Sequence, residues 1–61
     1  MFVKEMDFEE KIIMYRANHN LTQKELAEKC GVAMQTIYRA EKGQFGKLVK
    51  AKIEKVIMED F

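Results

Sequence analysis

At 61 residues the chain allows one domain with one core, because a domain of that size buries only about 60% of the surface its unfolded form exposes, and it leaves no room for a catalytic cleft of ordinary depth. Hydrophobic residues at 48% and charged residues at 34% argue against disorder; the single cysteine excludes an intramolecular disulfide, no Cys/His cluster has zinc-ligand spacing, and no apolar run approaches the roughly 20 residues that span a bilayer. The net charge is only +1, yet residues 21 to 50 carry six basic and three acidic groups, against three and four in residues 1 to 20 and two and three in residues 51 to 61.

The middle of the chain therefore has a positive field suited to phosphates, although an ordinary solvated helix face shows a similar excess of lysine. The first residues lack the basic region and apolar stretch of a signal peptide, so a cytoplasmic protein is expected. Proline is absent and glycine occurs only at Gly31, Gly43 and Gly46, which favours helices throughout.

A first helix is predicted from about residue 7 to 18. Asp7 stands at its N-cap with Glu10 three residues on, the spacing at which each side chain reaches the other's orphan backbone N–H. Phe8, Ile12 and Tyr15 form the inward stripe, and the helix ends over Asn18, His19 and Asn20, with Asn20 where a left-handed residue is needed. Ile13 and Met14 fall off the stripe and leave apolar surface that another element must cover, residues 1 to 6 being one candidate.

A second, short helix from about 22 to 29 opens on the capping pair Thr22 and Glu25 and turns Leu26, Ala27 and then Cys30 inward. Gly31 supplies the positive φ of a tight turn, and Val32 plugs that turn from inside. A third helix from about 33 to 42 directs Ile37 and Ala40 inward and leaves Gln35, Thr36, Tyr38 and Arg39 outward, with Gly43 closing it. After a short loop, a fourth helix from about 47 to 58 places Leu48, Ala51 or Lys52, and then Val56 in successive turns, while Val49, Ile53 and Ile57 widen its apolar face. No repeat or linker interrupts residues 1 to 61, so the expected architecture is all-α and a single domain.

The stretch from Leu21 to Gly43, LTQKELAEKCGVAMQTIYRAEKG, resembles the Cro/repressor (Xre-type) family of bacterial and phage helix-turn-helix proteins. The likeness covers 23 of 61 residues in register and without a gap, through Thr22-Gln23, Glu25-Leu26-Ala27, Gly31-Val32, Thr36-Ile37, Arg39 and Glu41 to Gly43. It implies a small four-helix domain of the lambda-repressor-like DNA-binding type with an abbreviated C-terminus, the family's usual fifth helix being reduced to roughly residues 58 to 61.

The same resemblance implies roles for individual residues. Met34, Gln35, Thr36 and Arg39 match the family's base-reading positions, and their chemistry suits the task. Gln35 can pair with adenine N6 and N7, Arg39 can fork onto guanine O6 and N7 or fall back on phosphate, and Thr36 or Met34 can touch a thymine methyl. Gln23 matches a phosphate-contacting residue that also braces the reading helix, with Thr22 and Lys24 beside it at a helix end whose dipole favours phosphate. Tyr38, Lys42, Gln44 and Lys47 complete the backbone-contacting set. Arg16 and Glu41 match a partly buried structural ion pair. Where the family commonly caps the reading helix with serine or threonine, this chain has Ala33.

The residues and the resemblance together imply a sequence-specific DNA-binding transcriptional regulator, a Cro-like repressor of a phage or mobile element. It binds a palindromic double-stranded operator as a homodimer, because one small domain buries too little DNA surface for high specificity. No cofactor, metal, small-molecule ligand or membrane is expected. The polar face of Gln35, Thr36 and Arg39 taken alone is an ordinary solvated surface; the framework of Gln23, Ala27, Gly31 and Ile37 behind it favours a reading face.

The rival is a protein-interaction module of the antitoxin or antirepressor kind, which keeps the fold without reading DNA and whose binding ignores salt. An enzyme is not expected, since His19 and Cys30 are held apart by the second helix and no other nucleophile–base pair is present. Cys30 reads as a buried thiol and His19 as a partner of a helix C-terminal dipole. Ile13, Met14, Ile57 and Phe61 form either a dimer patch or contacts within the monomer.

Overall fold

The computed structural model describes residues 7 to 60, Asp60 by its backbone alone, and arranges them in four helices: α1 (Phe8–His19), α2 (Gln23–Cys30), α3 (Met34–Ala40) and α4 (Lys47–Asp60). No strand is present among the described residues. Two expectations, the cover supplied by residues 1 to 6 and the place of Phe61, lie outside them.

The start of each helix follows its sequence. The Asp7 N–H donates to Glu10 Oε1 at 3.0 Å. At α2 the capping box is reciprocal: Glu25 N–H donates to Thr22 Oγ1 at 3.1 Å, and Thr22 N–H donates to Glu25 Oε1 at 2.9 Å. At α3 the cap is Ala33, whose extended backbone (φ −73°, ψ 152°) suits the position and whose side chain accepts nothing. Ala33→Ser supplies the missing acceptor on a backbone already shaped for it, and is expected to stabilise the domain by about 0.5 to 1 kcal/mol. Thermal unfolding followed by circular dichroism reads this as a rise of a few degrees.

One device ends the first three helices. Asn20 (φ 56°), Gly31 (φ 73°) and Gly43 (φ 85°) are left-handed, and around each the chain makes the same pair of hydrogen bonds. Leu21 N–H reaches Arg16 O at 2.9 Å and Asn20 N–H reaches Ala17 O; Val32 N–H reaches Ala27 O at 3.0 Å and Gly31 N–H reaches Glu28 O; Gln44 N–H reaches Arg39 O at 2.9 Å and Gly43 N–H reaches Ala40 O. These are Schellman closures, which satisfy the last carbonyls and turn the chain sharply. Leu21 and Val32, which follow the first two, fold back onto the core. The helix expected over residues 33 to 42 is shorter than that. Regular α-helix stops at Ala40, and residues 41 to 43 form a tightened turn in which Lys42 N–H bonds Arg39 O at 3.0 Å.

The core joins Ile12 and Tyr15 of α1, Leu26, Ala27 and Cys30 of α2, Ile37 and Ala40 of α3, and Ile53 and Ile57 of α4, all buried. Small Ala27 and Ala40 let α2 and α3 approach closely. The α3–α4 loop is pinned by Phe45, whose ring meets that of Phe8 edge-on with centroids 4.7 Å apart. α4 packs on α1 and α2.

Two expectations about α4 are corrected. Leu48, expected to begin the inward series, is 73% exposed, and Ala51 and Lys52 also face solvent. The helix sits on Ile53 and Ile57 with Val49 and Val56 at the margin, and Leu48, five residues before Ile53, points about 140° away at 100° per residue. Ile57, grouped above with Ile13 and Met14 as exposed apolar surface, belongs to the core, while the latter two remain exposed.

Candidate nucleic-acid interface

A polar network ties α2 to α3 at the ends far from their turn. Arg16 Nε donates to Glu41 Oε2 at 2.7 Å and Nη2 to Glu41 Oε1 at 3.2 Å, the two-pronged geometry in which guanidinium and carboxylate pair best. Arg16 Nη1 donates to the Leu21 carbonyl at 3.2 Å, and Gln23 Nε2 donates to Glu41 Oε1 at 3.1 Å. The Glu41 side chain is 10% exposed and that of Arg16 26%. α2 and α3 are thus joined twice, by the Gly31 turn at one end and by Gln23 and Glu41 at the other, with Leu26, Ala27, Ile37 and Ala40 buried between.

Clamping α3 in this way fixes which of its sides meets solvent. Ile37 and Ala40 are buried, so Met34, Gln35, Tyr38 and Arg39 are exposed and Thr36 is half-buried at the edge. Gln35 and Arg39, one helical turn apart, share a face. The Lys42 ammonium lies 4.5 Å from the centre of the Tyr38 ring, which places a cation and a phenol side by side just beyond the helix.

The other residues assigned to phosphate contact fall into two groups. Thr22, Gln23 and Lys24 surround the start of α2, with Thr22 and Lys24 exposed and Gln23 half-buried against Glu41. Gln44 and Lys47 are exposed in and after the loop that follows α3. Of the three acidic residues in the central segment, Glu41 is neutralised by its ion pair with Arg16, while Glu25 is held at the α2 cap by the Thr22 N–H.

Cys30 is buried, and desolvation pushes its thiol up from the usual range, an effect that neighbouring Lys29 partly offsets. His19 is exposed in the last turn of α1, with its ring 4.2 Å from that of Tyr15. Two contacts were not foreseen. The Leu21 carbonyl is a backbone acceptor to which no side-chain pattern points. Phe45 anchors the loop that carries Gln44, and its signal was an aromatic residue standing between Gly43 and Gly46.

Two short helices held at a fixed crossing, with a glycine turn between them and a polar outer face on the second, define a helix-turn-helix module. The Helix-turn-helix family model matches residues 12–47, more than half of the chain, from α1 to the first residue of α4. A protein of Methanocaldococcus jannaschii described as an uncharacterized HTH-type transcriptional regulator is 52% identical over 40 residues, which cover 66% of this chain and 61% of that relative; the chain thus spans less than two thirds of the relative's length. No solved structure matches. The chain belongs to the Xre/Cro-like helix-turn-helix family, and its four helices are of the lambda-repressor-like type.

Proposed function

We propose that the chain is a sequence-specific DNA-binding transcriptional regulator that lays α3 in the major groove. The observation that carries this reading is the exposed Gln35 and Arg39 pair on a helix clamped at both ends by its neighbour, since base edges are read by side chains whose backbone cannot swing away. Gln35 reads adenine, Arg39 guanine, and Met34 or Thr36 a thymine methyl. Gln23 gives one amide hydrogen to Glu41 and keeps the other for a phosphate; Thr22, Lys24, Tyr38, Lys42, Gln44 and Lys47 supply further backbone contacts, which set position and not sequence.

One domain of this size contacts few base pairs. Two copies on half-sites one helical turn apart supply the remaining specificity, so the operator is palindromic and the bound form a homodimer. A bound pair excludes other proteins from the DNA it covers and needs no further surface to do so, which suits a Cro-like repressor of a phage or mobile element. The regulator description of the archaeal relative agrees with the regulatory part of this reading.

Fluorescence anisotropy titration on an operator recovered from a randomised duplex pool is the test. Gln35→Ala and Arg39→Ala should each weaken binding by about 5- to 150-fold, or 1 to 3 kcal/mol, and relax preference at one base pair per half-site. Lys42→Ala should weaken all sequences alike and reduce the slope of log affinity against log salt by about one. Unchanged affinity in both base-reading variants removes α3 as the reading helix, and binding that ignores salt favours the protein-interaction module.

A further inference from the structure

The solvent face of α4 carries an apolar stripe. Leu48, Ala51, Lys55 and Met58 are all exposed on the side away from Ile53 and Ile57, and among the described residues Leu48 and Met58 are the most exposed large apolar side chains, at 73% and 74%. Their spacing of three, four and three residues is that of a coiled-coil seam, with Leu48 and Lys55 at a and Ala51 and Met58 at d. Lys52 and Glu59 then flank the seam on one side, at e, and Lys47 and Glu54 flank it on the other, at g. Each flank has its lysine in the first half of α4 and its glutamate in the second.

That arrangement distinguishes the two ways of pairing the helix with a second copy. Run parallel, α4 sets Lys47 against the partner's Lys52, Glu54 against the partner's Glu59 and Lys55 against the partner's Lys55, so every charged contact repels. Run antiparallel, it packs Leu48 on the partner's Met58. It lays the stem of Lys55 over the partner's Ala51, where the small side chain leaves room for the ammonium to reach water. Lys52 then meets the partner's Glu59 and Lys47 meets the partner's Glu54, each contact made twice by the two-fold axis.

We infer that α4 is the self-association surface of the protein, forming an antiparallel α4–α4 seam of two heptads between two copies of this chain. The seam supplies the pairing that a palindromic operator requires, and it rests on the reading above only for that use, because the contact itself needs no DNA. Two heptads bury less than a standard interface of about 1,600 Å², so the free dimer is weak and operator binding holds it together. Lys47 appears both here and among the phosphate contacts, whereas Lys52 and Glu59 stand outside the DNA-contacting set and are therefore the residues to change.

Sedimentation equilibrium of the full chain without DNA, up to millimolar concentration, tests the seam. The wild type should reach a monomer–dimer equilibrium. Lys52→Glu and Glu59→Lys should each raise the dimer dissociation constant about tenfold, because each turns two exposed attractions into repulsions, and the combined K52E/E59K exchange should restore the wild-type value. Helicity stays at the wild-type level in all three, since both side chains are exposed. Arg39→Ala should leave the dimer constant unchanged while losing operator affinity, so failure of the seam and failure of the reading helix are separately visible. A wild type that remains monomeric throughout, single reversals that dimerise normally, or an exchange variant as weak as the single changes would each overturn the assignment.

Discussion

Glu41→Ala is expected to lower the stability of the domain by about 2 to 3 kcal/mol and its melting temperature by roughly 10 to 20 °C. The carboxylate accepts from Arg16 Nε, Arg16 Nη2 and Gln23 Nε2, and its removal leaves a guanidinium held only by the Leu21 carbonyl. Breaking a fully buried pair costs about 3 to 5 kcal/mol, and the partial exposure of Arg16 places this pair below that range. Replacing both partners by apolar residues, as in R16M/E41L, should cost less than Glu41→Ala, because no uncompensated charge remains. Denaturant unfolding of the two variants checks the order. A functional effect accompanies the loss of stability: Gln23 loses its anchor, and α2 and α3 are then held by the Gly31 turn and their buried packing, without the polar tie at the far end.

Ile37→Ala should be more damaging still, by about 3 to 5 kcal/mol. Ile37 is fully buried between α2 and the rest of the core, and the cavity left by its removal is bordered by two already short helices with little freedom to collapse onto it. A domain of this length holds only about 3 to 9 kcal/mol in total, so the variant should be largely unfolded at physiological temperature. Far-ultraviolet circular dichroism at 37 °C gives the result directly. Ile37→Val, which removes one methylene, should cost about 0.5 to 1.5 kcal/mol and keep the fold, separating the packing effect from any contact with DNA.

What could be read from the residues in advance was what local chemistry dictates. Thr22 with Glu25 and Asp7 with Glu10 announce helix starts because a cap and its partner lie three residues apart, and Asn20, Gly31 and Gly43 announce stops because few residues accept positive φ. The outward face of α3 followed as the complement of Ile37 and Ala40. The orientation of α4 could not be read this way. Val49, Ile53, Val56 and Ile57 make one apolar stripe and Leu48, Ala51 and Met58 another, and only the contact with α1 and α2 decides between them. The Leu21 carbonyl and the Phe45 contact were hidden for a related reason, since each depends on how distant segments meet. Side-chain type at Gln35 and Arg39 sets their hydrogen-bonding chemistry, and the fold exposes both on one face of α3.

Dimethyl sulfate interference on a bound operator addresses the reading helix most directly, because the reagent methylates guanine N7 in the major groove and adenine N3 in the minor groove. The expected result is that a methyl at N7 of one guanine in each half-site blocks wild-type binding, that Arg39→Ala is indifferent to that methyl, and that methylation of adenine N3 has no comparable effect. Interference confined to adenine N3, or wild-type binding untouched by guanine methylation, would contradict a helix α3 seated in the major groove.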